Sequence, residues 1–159
     1  MSIQLTNEQK ANHFETFEHI HKVQENLFLM QTELGRRALE HDKSKVYSVE
    51  ESAIFAKYTP LLKTVVYGSN EYKSCLNEMQ VAIDHHRKSN SHHPEYYKDG
   101  MTGMSLIDLI EMLCDWKAAT LRTKDGDIYK SLEIQKERFK ISDQLYQILL
   151  NTLPFLENN

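Results

Sequence analysis

The sequence predicts an all-α protein built as a helical bundle. Only five glycines and three prolines occur in 159 residues, so few residues interrupt helices. These interruptions fall between segments whose apolar residues recur with helical period, and we find no alternating pattern typical of strands. The length suits one domain that buries a proper core. We therefore expect a single helical domain over residues 1–159.

The first helix is predicted over residues 7–39. Apolar residues recur within it at intervals of three and four, which is the pattern of one helix face. These residues are Val23, Leu27, Met30 and Leu34.

A shorter helix follows, in the segment SVEESAIFAKYT. Ser48 and Glu51 have the spacing of a capping box at its start, and Pro60 is expected to end it. A further short helix is predicted over residues 60–66, before the break at Gly68-Ser69-Asn70.

The next helix is predicted over residues 70–87, with Leu76, Met79 and Ile83 on one face. It is followed by the polar segment RKSNSHHPEYYKDGMTG, whose proline and glycines are typical of a loop.

Ser105 and Asp108 form a second predicted capping box, at the start of the helix LIDLIEMLCDWKAATLR. The sequence KDGD at 124–127 predicts a turn, and the C-terminal helix is expected over residues 128–153.

Charge and composition limit the classes of partner. The net charge is −4, and lysine and arginine are scattered, so we expect no binding to duplex nucleic acid. No long apolar run or signal-peptide segment is present, which predicts a cytoplasmic protein that does not contact membranes. The two cysteines, Cys75 and Cys114, are expected to be reduced and buried.

Histidine is the unusual residue type. Five of the eight histidines lie in the pair His41-Asp42 and in HHRKSNSHH at 85–93. An adjacent His-Asp pair is often only a surface feature. His86, however, continues the apolar face of its helix, so it points at the core, where it needs hydrogen bonds or a metal. A core histidine bonded to a carbonyl is the alternative.

The loop adds His92-His93, and four imidazoles within nine residues favour metal binding over a solvated surface. His85 points away from the apolar face and is expected to be exposed or to support a ligand. Asp115 is the carboxylate predicted to close the site, because it shares a helix face with apolar and small residues. Glu111 lies one turn earlier on the same side. An ion pair from Asp115 to Lys117 or Arg122 is the alternative.

Imidazole and carboxylate ligands without thiolates suit iron, manganese, zinc, cobalt or nickel. More candidate ligands are present than one four-coordinate ion needs, which favours two ions. Binuclear sites activate water and hold a phosphoryl group during in-line displacement. A small anionic substrate is compatible with the negative net charge, because bound metal supplies local positive charge.

The ordered series of candidate ligands resembles the HD-domain metal-dependent phosphohydrolases in their two-metal form. HDKSK resembles the HD-x-x-K motif of that family, whose lysine faces the substrate phosphate. HHPEYYKDG is similar to a segment of the HD-GYP branch but lacks Gly-Tyr-Pro. A closer resemblance is to short, uncharacterised HD-like proteins with HI-x-x-V, HD-x-SK, H-x-x-x-N-x-HHPEY and EM-x-CDW. It extends over about residues 15–120. The series is His19, His41-Asp42, His86, His92-His93 and Asp115.

The resemblance implies an HD-type bundle in which Asp42 bridges two metals and Lys45 offsets phosphate charge. We expect His19, His41 and Asp115 to complete one metal site, and His86 and His92, with or without His93, to complete the other. Periodicity alone does not choose between His19 and His21 as the N-terminal ligand; only the resemblance prefers His19.

The expected activity is hydrolysis of a nucleotide or other small phosphoester by metal-activated water. Tyr96, Tyr97 and Trp116 are expected either to line the substrate site or simply to pack. Two other functions remain open from the sequence: a di-iron oxygenase, and a non-catalytic binding protein stabilised by metal. The sequence leaves the oligomeric state undetermined.

Overall fold

The computed structural model describes residues 5–66, 69–122 and 126–157. Those ranges contain helices, turns and no strand, which confirms the all-α prediction. None of their helices combines the length and the apolar character needed to cross a bilayer. The α-helices are α1 (Asn7–Glu40), α2 (Ser44–Tyr47), α3 (Val49–Leu62), α4 (Asn70–Ser89), α5 (Leu106–Thr120), α6 (Ile128–Phe139) and α7 (Asp143–Thr152). Short 3-10 helices cover Pro94–Tyr96, Gly100–Gly103 and Leu153–Leu156.

The chain divides into two compact units, Met1–Leu39 and Glu40–Asn159. The described part of the first unit is almost entirely α1, whose start and end agree with the predicted helix to within one residue. The second unit holds α2 to α7. That residues 1–159 form one domain stays a prediction.

The start of α3 is as predicted, but its capping differs. The Ser48 side chain accepts a hydrogen bond from the Glu50 backbone N–H, whereas Glu51 turns into the protein and is fully buried. Pro60 does not end the helix. It lies inside the last turn, and α3 continues to Leu62.

The short helix expected over residues 60–66 is therefore wrong. The residues after α3 form turns, in which Lys63 N–H donates to the carbonyl of Pro60 and Thr64 N–H to that of Leu61.

α4 begins at Asn70, where the Ser69 side chain accepts from the Tyr72 backbone N–H. Gly68 of the predicted break lies outside the described residues. It packs against α3 and buries Met79, Ala82 and His86. The face predicted from periodicity is thus the face that turns inward, and it carries His86 with it.

α5 begins with the predicted capping box, in which the Ser105 hydroxyl accepts from Asp108 N–H and the Asp108 carboxylate accepts from Ser105 N–H. The helix then supplies the centre of the apolar core. Each fully buried aliphatic side chain contributes about 1.5–3 kcal/mol of transfer free energy. The buried core comprises Met112, Leu113, Trp116, Ile128, Leu132, Ile141, Leu149 and Leu153.

The single C-terminal helix predicted over residues 128–153 is two helices. α6 ends before Lys140, which adopts the left-handed conformation with φ 51°. Ser142 then caps α7 by accepting from Leu145 N–H. The break lets Ile141 turn into the core, where it is buried. Residues 124 and 125 of the predicted KDGD turn lie outside the described residues.

Both cysteines are free, as expected, but neither is buried. Cys75 is half-buried and Cys114 is exposed, because their helices turn other residues toward the core.

Candidate metal centre

The predicted His-Asp pair lies in the turn between α1 and α2. Asp42 has φ 56°, in the left-handed region that aspartate and asparagine adopt more readily than most residues. The turn is closed by the backbone bond from Lys43 N–H to the Glu40 carbonyl.

Four buried polar atoms from the second unit converge beside this turn. They lie within 4.8 Å of one another, and none has a hydrogen-bonding partner in the described part of the chain. His86 Nε2 lies 3.0 Å and His92 Nε2 lies 3.5 Å from Asp42 Oδ1. Buried polar atoms are normally satisfied, so four such atoms in one place form a candidate ligand set. The atoms are Asp42 Oδ1, His86 Nε2, His92 Nε2 and His93 Nε2.

Carboxylate oxygen and neutral imidazole nitrogen are ligands for first-row transition metals, so this donor set fits such an ion. We call Asp42, His86, His92 and His93 the four-residue group.

The second candidate group is His41, Asp42 and Asp115. His41 Nε2 lies 3.6 Å from Asp42 Oδ2 and 3.8 Å from Asp115 Oδ1. Asp42 therefore turns one carboxylate oxygen toward each group. This is the arrangement expected of a carboxylate shared by two ions.

Glu111 holds two of the histidines from behind. Its Oε1 lies 2.8 Å from His41 Nδ1 and 3.2 Å from His92 Nδ1. A carboxylate on Nδ1 favours the tautomer whose Nε2 is free to bind metal. The trio His41, His92 and Glu111 also satisfies the distances of a metal group. Its place on the Nδ1 atoms makes Glu111 a support for the histidines in our interpretation.

Burial and charge separate the histidines. Burial lowers the pKa of His92 and of His93 to about 4, so both imidazoles are neutral at pH 7. The pKa of His41 rises to about 9, because its contact with Asp115, followed by that with Glu111, outweighs burial. Burial by itself would raise the pKa of Asp42, but the adjacent Lys45 and the charge of His41 hold it well below its usual range.

Lys45 brings a positive charge to the edge of the site. Its Nζ lies 2.5 Å from Asp42 Oδ2 and 5.5 Å from the centre of the Phe55 ring. The lysine side chain is partly exposed.

The structure brings together six of the seven predicted ligands: His41, Asp42, His86, His92, His93 and Asp115. His19 and His21 both lie on α1 in the first unit, and the role of His19 stays a prediction. Asp115 Oδ1 lies 3.8 Å from His41 Nε2, and the role of Asp115 as a metal ligand stays a prediction. Ala118 and Ala119 are exposed, so its helix face is less apolar than expected.

The three aromatic residues have different surroundings. Trp116 is buried in the core and stacks on Phe139 with ring centres 6.1 Å apart, so packing is the correct alternative for this residue. Tyr97 donates its hydroxyl proton to Asp108, and Tyr96 is exposed.

The side chains that support the ligands, two carboxylates, one hydroxyl and one amide, were not predicted from the sequence. The sequence predicts that Glu111 lies on the same side of its helix as Asp115, but it does not predict its contacts with His41 and His92. It predicts Glu51 as part of a helix cap. Ser44 and Asn90 contact His86 Nδ1 at 3.0 and 3.1 Å. The inward position of Glu51 is evident only from the packing of α3 on α4.

The chain is thus an all-α protein in which histidine and aspartate side chains form a candidate metal centre. A family model described as "Family of unknown function (DUF5662)" matches residues 8–154, and the chain belongs to this family. No curated protein and no solved structure is detectably similar to the chain.

Proposed function

We propose that this chain is a metal-dependent phosphohydrolase of the HD type, with two divalent ions held around Asp42. The observation that carries the proposal is the convergence of four unsatisfied buried ligand atoms in the four-residue group. The order of the ligands along the chain, which resembles that of the HD-domain enzymes, supports the reaction class.

In this proposal the side chains around the metal centre have three different roles. Asp42 contributes one oxygen to each group, and Glu111 keeps His41 and His92 oriented through their Nδ1 atoms. Bound divalent ions would activate a water molecule and draw charge from the phosphoryl oxygens. Lys45, beside Asp42 Oδ2, would offset the negative charge that develops on the phosphoryl group.

The expected substrate is a nucleotide or another small phosphoester. The partly exposed Lys45 marks the side from which an anion can approach. Exposed Tyr96 lies in the histidine loop, which we define as residues 91–97, and is available to contact an organic group.

The test begins with metal analysis of purified protein, followed by a phosphate-release screen. Nucleotides and common phosphoesters are offered with manganese, iron, zinc, cobalt or nickel. We expect bound metal and release of phosphate from at least one compound. Metal without phosphate release from any compound overturns the hydrolase proposal.

Asp42→Asn is the appropriate variant, because asparagine keeps the side-chain shape and tolerates φ 56°. It removes the negative charge shared by both groups, so we expect loss of metal and of phosphate release. Asp84→Asn is the matched control: Asp84 lies exposed on α4 and accepts from Gln80 at 2.7 Å. Full metal retention in Asp42→Asn would contradict the site.

The same preparation separates the rival functions. A di-iron oxygenase would consume oxygen and show visible absorbance when loaded with iron. A non-catalytic protein would lose thermal stability on chelation without turnover of any compound.

His19→Ala and His21→Ala test the N-terminal ligand. We expect His19→Ala to lower the number of bound ions per chain from two to one, and His21→Ala to leave it unchanged. The reverse result would assign the role to His21.

A further inference from the structure

Glu51 is a buried carboxylate outside the predicted ligand set. Its side chain is 0% exposed. A buried charge costs several kcal/mol unless it is paired and hydrogen-bonded, so its partners have to account for it. Oε1 lies 2.8 Å from His85 Nδ1, and Oε2 lies 3.0 Å from His86 Nδ1 and 2.8 Å from Ser44 Oγ.

The protons around His86 Nδ1 can be counted. Asn90 Nδ2 has two protons, which it donates to the His86 carbonyl at 2.7 Å and to Ser44 Oγ at 2.9 Å. Ser44 donates its single hydroxyl proton to Glu51 Oε2. Neither neighbour then has a proton left to donate to Nδ1. The bond between Nδ1 and Glu51 Oε2 consequently uses a proton carried by His86 itself.

An imidazole protonated at Nδ1 and neutral overall has a lone pair on Nε2. His86 Nε2 is the unsatisfied atom 3.0 Å from Asp42 Oδ1, inside the four-residue group. The tautomer set on one side of the ring therefore decides whether the other side can bind a metal.

We propose that Glu51 is a positioning residue that fixes His86 in the Nδ1–H tautomer and so makes the four-residue group competent to bind metal. The inference deepens the proposed function and rests on the metal centre that it contains. His85, whose Nδ1 donates to the other oxygen, holds the carboxylate in place from the more exposed side of α4.

Glu51→Met is the decisive variant. Methionine matches the length of glutamate and accepts no comparable hydrogen bond, and replacing a buried charge with an apolar side chain is often tolerated. The Ser44 hydroxyl, 3.0 Å from His86 Nδ1, is then free to donate to it. His86 would shift to the Nε2–H tautomer, which places a proton where the metal should bind.

The tautomer is measured in metal-free protein by the nitrogen chemical shifts of the His86 imidazole. We expect Nδ1–H in the wild type and Nε2–H in Glu51→Met. This readout distinguishes a positioning role from general destabilisation. An Nε2–H tautomer in wild-type protein overturns the inference, even if Glu51→Met fails to fold.

Metal affinity provides the second readout, measured by titration with Zn²⁺ or Co²⁺. Loss of such a supporting carboxylate typically lowers metal affinity by about 10–100-fold, and we expect this for Glu51→Met. Glu51→Gln keeps one side-chain oxygen for His86 and should retain more affinity than the methionine variant. Glu50→Gln, at an exposed neighbour on the same helix, is the control that should match the wild type.

The outcomes separate the two proposals. If wild-type protein binds no metal, the proposed function fails and the inference fails with it. If the wild type binds metal and Glu51→Met binds it equally well, only the inference fails. Equal losses in the methionine and glutamine variants would also overturn it, because charge and not the tautomer would then control binding.

Discussion

The hydroxyl of Tyr97 donates a hydrogen bond to Asp108 Oδ2 across 2.8 Å. Asp108 also accepts from Ser91 Oγ at 2.9 Å and from the backbone and hydroxyl of Ser105. One buried carboxylate thus ties both ends of the histidine loop to the start of α5. The loop that carries His92 and His93 is held by the same residue that caps the helix carrying Asp115.

Tyr97→Phe should loosen this loop. It removes one hydrogen bond to a buried charged group, worth about 1.5–3 kcal/mol by the usual range for such bonds. We expect a lower free energy of unfolding in urea and weaker metal binding by the four-residue group. Tyr96→Phe is the control, because Tyr96 is exposed. Equal stability of the two variants would show that the Tyr97 bond does not support the loop.

Gly103→Ala should disturb the same loop from the other side. A Cβ at Gly103 would lie 2.8 Å from Tyr97 Cβ, closer than real Cβ contacts. Overpacking of this kind costs about 1–3 kcal/mol, measurable as a lower thermal midpoint. Gly35→Ala is the control without a steric clash, since nothing lies within 4 Å of the added Cβ in α1. Alanine there should stabilise the helix by about 1 kcal/mol.

Lys140→Gly should stabilise the protein. The left-handed conformation of Lys140 costs an L-residue about 1–2 kcal/mol, whereas glycine adopts it freely. Part of the gain is lost to the greater freedom of glycine in the unfolded chain, so we expect about 1 kcal/mol in urea unfolding. Lys136→Gly, inside α6, should lower stability instead. A lower free energy of unfolding in both variants would show that the backbone of Lys140 is not strained.

Metal-free protein should lose stability in mild acid. The pKa values of His92 and His93 fall to about 4 in the folded state, below the ordinary value of 6.5. The unfolded state therefore binds more protons, and this contribution is complete above pH 6.5 and is lost as the pH falls toward 4. Urea unfolding between pH 7 and pH 4 measures it. His93→Gln should flatten the acid limb, and an unchanged slope would be evidence against the neutral buried imidazole.

Metal uptake should release a proton from His41. Its pKa of about 9 leaves it protonated at pH 7, and a metal-binding imidazole has to be neutral. We expect about one proton per chain from this residue, measured by titration calorimetry in buffers of different ionisation enthalpy. Affinity at this group should rise with pH up to about 9. His41→Gln should abolish the release, and release that persists in this variant would assign the proton elsewhere.

Much of the fold was predictable because the apolar period and the capping residues are local signals. Ser105 and Asp108 act at the start of α5 as their spacing predicts. The break between α6 and α7 was not predictable in this way, because a lysine in the left-handed conformation has no local signature. Tertiary packing of Ile141 decides it.

The candidate site, too, was predictable only in part. His86 could be placed from helical period, and His92-His93 from their density in one loop. Glu51 was assigned wrongly, because the capping-box spacing from Ser48 is identical to the spacing of an inward-facing residue on α3. Only the packing of α3 on α4 distinguishes a cap from a buried carboxylate.

The left-handed backbone of Asp42 limits which residues can occupy position 42. Glycine relieves the backbone but offers no oxygen, and glutamate offers oxygens on a backbone that resists this turn. Asparagine satisfies the turn without the charge. In a library with every amino acid at this position, selection for folding alone would retain glycine, asparagine and aspartate. Selection for metal binding by the purified variants would retain aspartate alone, so the two selections would separate the geometric constraint from the chemical one.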